Sequence, residues 1–412
     1  MSFDYATLNN GLRVVHERRK SPVAHVGLFI EVGSKDHYKG FSGMAHMIEH
    51  TIFKGTTKRK AYHILNRMDN IGGEINAFTT KEETAIHASF LKEYLNRAVD
   101  LILDIALNPT FPEKEITREK LVILDEYHSS QENPAERLFD DFDSRLFHGH
   151  PLASTILGEP KDIKKVGRNE VIAQHRKYYQ PQNMVIASVG DYTIKEMISK
   201  IEEFGPIPGG KQPPRIVPPI THNRFNVTAS NGMQQCHFII GNQAYDRSHP
   251  KRRTAILMNN ILGGPSLNNR LNMNISERHG YAYHLESHYT SYSDSGELSI
   301  YGNTDPKYLS KAMGLVFIEL KKLRTKALGV IQLKNAHQQL KGHIALSYEN
   351  GANTMLAMGK SMLTKGFVES IPDIYKAIEK ISASDILDVA NELLNPEALS
   401  SLVYEPENQI AK

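Results

Sequence analysis

The sequence predicts an α+β fold of two homologous domains, each an antiparallel-rich β-sheet with helices packed on one side, joined by a Pro/Gly-rich linker. Three observations predict it. Stretches that alternate apolar and polar residues are followed by amphipathic helical stretches, the texture of sheets backed by helices. Residues 205–220, GPIPGGKQPPRIVPPI, hold too many prolines and glycines for a helix or a central strand. The order of elements also repeats: FLKEYLNRAVDLILDIAL follows two alternating strands in the first half, and NTDPKYLSKAMGLVFIELKKL does so in the second, with Tyr94-Leu95 matching Tyr308-Leu309. The expected division is a first domain 1–204, a linker 205–220 and a second domain 221–412.

In chain order, LNNGLRVV reads as strand, Asn-Gly turn and strand, and Val23 to Val32 as a buried strand. The run GFSGMAHMIEHTIFKGT reads as a short helix that Ser42 can cap and Gly55 can end. A second helix spans Ala61 to Met68. GGEINAFTTKEETAIHASF then alternates as two antiparallel strands about a polar turn at Thr79 to Glu83. Lys92 to Leu107 is an amphipathic helix with Leu95, Val99, Ile102 and Ala106 inward. A long helix runs from Glu113 to Gln131, and Asn133-Pro134 caps another. A strand at Met184 to Val189 and a helix at Ile194 to Phe204 close the half.

Composition narrows the function. A chain of 412 residues with 40% hydrophobic and 23% charged residues is globular and too long for one ordinary core. A net charge of +3, with no basic run interleaved with aromatics, gives no reason to expect a nucleic-acid partner. The lone Cys236 rules out an intrachain disulfide and a cysteine-based metal site, so any metal would use His and carboxylate. No apolar run is long enough for a membrane span. The opening MSFDYATLNNGLRVVHERR lacks the charged-then-apolar pattern of a secretory signal, so the expected location is cytoplasmic, with a removed targeting segment left open.

The chemistry concentrates in HMIEH. His46 and His50 are four apart, so both rings project from one helical face, and Glu49 lies beside them where a carboxylate can take a proton from water. His-x-x-Glu-His is the inverted form of a common zinc motif. A catalytic zinc site needs a third protein ligand. In the Glu113–Gln131 helix, Ile116, Glu119, Ile123 and Glu126 fall on one stripe. Carboxylates on an apolar stripe call for a cation, which is either a metal or a basic side chain such as Arg118 or Lys120.

These stretches resemble the pitrilysin/insulinase family of inverted-motif zinc peptidases, most closely its short-chain, processing-peptidase-like members. The resemblance runs over nearly the whole length: LNNGLRVV, GMAHMIEHTIFKGT, GGEINAFTTKEET, VILDEY and SERHGYAY. It implies a zinc endopeptidase with one Zn²⁺ per chain held by His46, His50 and Glu126. Glu49 is then the general base and Glu119 a supporting glutamate. It implies substrate laid along the strand of Asn76 and Ala77, and Tyr283 on the substrate carbonyl. Relatives carry an arginine where this chain has Ser276, and neither Arg278 nor Arg270 is in its register. The family further implies peptide substrates held in a clamshell chamber of four such domains, hence a homodimer or a heterodimer with a related subunit. The alternative is a structural or pseudo-peptidase subunit of a heterodimeric processing complex. His148 and His150, either side of a glycine, read as ordinary residues.

Overall fold

The computed structural model describes residues 3–37, 40–213, 218–221, 224–230, 232 and 234–407. The chain divides into two compact units. The first is Met1–His128, Ser154–Ile216 and Ala345–Ile371; the second is Ser129–Ala153, Val217–Ile344 and Pro372–Lys412. Relative to a division at 205–220, two stretches of chain are thus exchanged between the halves. Of the linker, residues 214–217 lie outside the described residues.

The first unit holds a six-stranded sheet of β1 (Asp4–Thr7), β2 (Arg13–Arg18), β3 (Val23–Ile30), β4 (Glu74–Thr79), β5 (Thr84–Leu91) and β6 (Met184–Gly190). Their order is β1-β2-β6-β3-β5-β4, with β2 and β6 parallel and every other pair antiparallel. Alternation along β3 sends Ala24, Val26, Leu28 and Ile30 to one face. That face is covered by α1 (Met44–Ile52), α2 (Ala61–Asp69), α3 (Leu95–Leu107) and α4 (Glu113–Glu132). Leu95, Val99, Ile102 and Ala106 of α3 are all buried, as their spacing predicts.

The second unit repeats the plan with β7 (Asn226–Ser230), β8 (Cys236–Ala244), β9 (His284–Ser291), β10 (Gly296–Thr304) and β11 (Ser400–Glu405). Their order, β7-β11-β8-β10-β9, matches β2-β6-β3-β5-β4 strand for strand, down to the single parallel pair, β7 with β11. A 3₁₀ turn at Lys92–Tyr94 precedes α3, and one at Pro306–Tyr308 precedes the Leu309–Thr325 helix. The repeat read from the sequence therefore extends to topology.

Most helices lie on one face of each sheet, as expected, and one further helix covers the other face. In the first unit this is Gly351–Lys365, whose Met355, Met358 and Met362 pack on Phe29, Val185 and Val189. In the second it is Pro134–Leu146, whose Leu138, Phe142 and Leu146 pack with Ile239, Leu402 and Tyr404. Asn133 caps that helix, its side chain accepting from the Ala135 and Glu136 amides. These two helices are the exchanged stretches. The cause is in the strands: β3 and β6 are apolar at both parities, so leaving one face bare would expose Phe29, Val185 and Val189 to water. Among the described residues no helix is long and apolar enough to cross a membrane.

The Gly351–Lys365 helix approaches the sheet closely at Gly359, where an added Cβ would fall 2.0 Å from the Phe29 ring. Phe29 is fully buried and cannot swing away. Gly359→Ala should therefore cost about 1–3 kcal/mol and lower the melting temperature. An unchanged melting temperature by calorimetry would show that this contact does not hold the helix.

Candidate metal centre

Helix α1 forms because Met44, Met47, Ile48, Thr51 and Ile52 recur at helical spacing and are all buried. The opposite flank is left to His46, Glu49 and His50. Its start differs from the sequence reading. Ser42 does not cap the helix; its hydroxyl donates to Asp162 (2.8 Å) and accepts from the Glu159 amide (2.9 Å). Gly43 takes the N-cap position in the left-handed region, φ 79°, where a Cβ would lie 2.3 Å from the Leu157 carbonyl oxygen. The chain entering α1 is thus fastened to the 157–162 segment. Nor does Gly55 end the helix: Phe53 is its C-cap, and Gly55 bridges to Lys60 beyond it.

Helix α4 follows a strained turn. Phe111 has φ 47°, the one positive value outside glycine among the described residues, a conformation that costs about 1–2 kcal/mol. Burial of its ring and two hydrogen bonds from Arg168, to the Phe111 and Thr110 carbonyls, hold it there. The turn sends α4 against the α1 face, with Ile116, Glu119 and Ile123 buried as one stripe. The basic side chains beside that stripe serve elsewhere: Arg118 pairs with Glu115, and Lys120 donates to the Lys164 carbonyl.

The three expected ligands converge. One atom from each of His46, His50 and Glu126 lies within 4.8 Å of the other two. Glu126 Oε2 is 3.9 Å from His46 Nε2 and 3.6 Å from His50 Nε2. Tetrahedral ligands about 2.0–2.1 Å from a zinc ion would stand roughly 3.3–3.5 Å apart, so the donor set fits such an ion with small adjustment. Glu119 meets His50 Nδ1 at 3.1 Å and Lys54 Nζ at 2.8 Å, with a side chain only 7% exposed. A carboxylate can only accept, so Nδ1 carries the proton and Nε2 keeps its lone pair on the Glu126 side. Burial, helped by His50, pushes the His46 pKa down to about 4, which leaves that ring neutral and able to ligate.

Charge points the same way. Glu49, Glu119 and Glu126 bring three carboxylates to the site; Lys54 pairs with Glu119, and among the described residues Glu126 pairs only with the two histidines. A divalent cation balances that excess. Glu49 is held by the Thr79 hydroxyl at 2.7 Å. Burial raises its pKa, opposed by the Thr79 bond and by His50 and reinforced by Glu126.

Thr79 ends β4, the edge strand of its sheet, which no described strand joins on its outer side. Asn76 pairs with His87 and Ala77 with Ile86. The Thr80 amide bonds the Glu83 carbonyl, so ladder alternation directs the backbone groups of Ile75, Ala77 and Thr79 to the open edge. Ile75 and Ala77 pack on the helix-covered core, whereas the Asn76 side chain is exposed. Tyr283 belongs to the second unit, beside β9, with 66% of its surface exposed and its amide bonded to Asn303. Ser276 lies in a π-helical turn, Asn272–Glu277, with its hydroxyl buried and without a hydrogen-bond partner among the described residues. Arg278 is exposed. His150 is buried and pairs with Asp294 at 3.2 Å, so it is a packing residue, as read; among the described residues no second metal cluster forms.

Comparison with known proteins bears on the family and the fold. The family description "Insulinase (Peptidase family M16)" matches residues 13–160, and "Peptidase M16 inactive domain" matches residues 165–340. The chain belongs to the M16 peptidase family. Among M16 relatives, the uncharacterized zinc protease YmxG of Bacillus subtilis is 29% identical over 98% of both chains. An uncharacterized zinc protease of Mycobacterium leprae is 31% identical over 94% of this chain and 88% of its own. The crystal structure of a protease from Helicobacter pylori superposes with TM-score 0.90 at 20% identity, covering 98% of this chain and 100% of that one. An M16 inactive-domain structure from Pseudomonas fluorescens gives 0.90 at 18%, covering 98% of each. At those identities the two structures show the two-domain fold alone.

Sequence reasoning missed Lys54 and Thr79. Lys54 had a signal, being four residues beyond His50 and eight beyond His46 on the same flank. Thr79 had none, because it reaches Glu49 only through the packing of β4 on α1. If Glu119 orients His50, Glu119→Gln should weaken zinc binding roughly 10–100-fold in a folded protein, measured by chelator competition. Unaltered affinity would leave Glu119 as a packing residue.

Proposed function

We propose that the chain is a zinc-dependent endopeptidase that cleaves unfolded peptides or precursor segments. The observation that supports this most is the convergence of His46, His50 and Glu126 with Glu49 beside them, oriented by Thr79. Zinc held by those three residues supplies a Lewis acid that lowers the pKa of water and polarises a carbonyl. Glu49 takes the proton from the attacking water and returns it to the leaving amine. Glu119 and Lys54 hold the His50 tautomer. The open edge of β4, at Ile75 and Ala77, offers backbone groups to an extended peptide, a sequence-tolerant grip. Tyr283 is carried over from the family resemblance as a donor to the substrate carbonyl.

Two experiments test the reading. Glu49→Gln should keep zinc at one ion per chain and lose about 100-fold or more of its activity on an unstructured peptide mixture. Near-wild-type cleavage with zinc retained would refute the role of Glu49. Wild-type protein that binds no zinc and cleaves nothing would favour the structural-subunit alternative. The resemblance also implies four homologous domains around the substrate, and this chain has two. We therefore propose pairing with a second chain, identical or related. Sedimentation showing a monomer at micromolar concentration in the presence of every co-purifying subunit would sink that part.

A further inference from the structure

We propose that the second unit carries a binding site for a small oxyanion, a carboxylate or phosphate borne on a short apolar stem, centred on Arg270. The proposal does not rest on the peptidase reading. Arg270 lines a cavity of about 380 Å³. Its guanidinium makes no hydrogen bond or ion pair with any described residue. The carboxylate it senses, Glu319, is paired instead with Lys322 at 2.6 Å. Burial lowers the Arg270 pKa and the charge of Glu319 opposes that shift, so this is a cation that has lost part of its water and feels a carboxylate that is itself paired with Lys322.

Two of the amides around it are left chiefly as donors. Asn268 spends its carbonyl oxygen on the Gln339 amide nitrogen (2.8 Å), and Gln339 is itself fixed by Asn260 (2.9 Å). Gln332 spends its oxygen on the Gly329 amide (3.2 Å). Asn268 and Gln332 are each left with an NH₂ group, and Gln338 on the same wall has no hydrogen-bond partner among the described residues. An arginine fork with amide donors around it matches the lone pairs of a carboxylate or phosphate, and the positive charge of Arg270 disfavours a cation there. Ile261, Leu328 and Ala336 complete the wall with apolar surface, which suits a ligand with a short hydrocarbon portion. A π-helical turn begins two residues after Arg270, a local irregularity that often accompanies binding sites.

The test uses the full-length protein and ligand-observed NMR titration with three probes: N-acetyl-leucine, N-acetyl-leucinamide and inorganic phosphate. N-acetyl-leucine should bind, with the amide about tenfold or more weaker. Arg270→Gln should reduce binding of the acid by a similar factor. Gln332→Glu, which sets a like charge in the wall, should do the same should Arg270→Gln fail to fold. Phosphate binding with the same dependence on Arg270 would support the oxyanion site and assign it to phosphate. If neither anion binds the wild-type protein, or if binding is unchanged in both variants, the proposal is overturned. Zinc content and peptide cleavage should be unaffected by Arg270→Gln, which separates failure here from failure of the peptidase reading.

Discussion

Glu119 joins two helices through one buried carboxylate: His50 Nδ1 donates to one of its oxygens, and Lys54 Nζ pairs with the other. Much follows from that contact. It fixes the His50 tautomer, so the ring presents a lone pair to the side where Glu126 stands, two turns further along α4. It fixes the spacing of α1 and α4, because a carboxylate so far from water has no other partners to accept. It also engages Lys54, so that among the described residues Glu126 has no lysine or arginine partner and meets only His46 and His50. The contact therefore creates the deficit that a metal ion would fill.

The two units have the same strand plan, but only one has this chemistry. In the first, the helix that follows the β3 strand carries histidines and a glutamate. In the second, the helix after β8, Arg252–Gly263, reads RRTAILMNNILG and offers no ligand pattern. The exchange of the Pro134–Leu146 and Gly351–Lys365 helices between halves keeps each sheet covered on both faces. It also means that neither half of the sequence, cut at the linker, would contain the whole of its own core. Residues at the linker join two packed bodies, but they do not separate two independent sequences.

How much of this was legible in the sequence depended on range. The motif helix, the α3 face and the Ile116–Glu119–Ile123–Glu126 stripe were readable because helical spacing alone puts their residues on one face. The Asn133 cap and the β4–β5 hairpin were readable for similarly local reasons. The start of α1 was misread: Ser42 is a good capping residue by type, but Asp162, far away in sequence, captures its hydroxyl. Of the covering helices, Pro134–Leu146 was readable as a helix from its Asn-Pro start but not as a cover, since its apolar face does not say which sheet it meets. Thr79 lay at the edge of a predicted turn, and only tertiary packing turns its hydroxyl toward Glu49.

That last contact links two parts of the proposed mechanism that the sequence presents as separate. Thr79 is the final residue of the edge strand and also the hydrogen-bond donor that orients Glu49. Its side chain, with those of Ile75 and Ala77, lies on the α1 side of the sheet, while the backbone of the same three residues faces the open edge. A peptide pairing with that edge would stiffen β4 up to Thr79, and so would fix the donor that holds the base. In the proposed reading, substrate binding and orientation of Glu49 are then one event. An extended peptide that fails to pair along β4 would leave Thr79, and with it Glu49, less firmly placed. The general base would be best ordered when a backbone in the right register lies beside it.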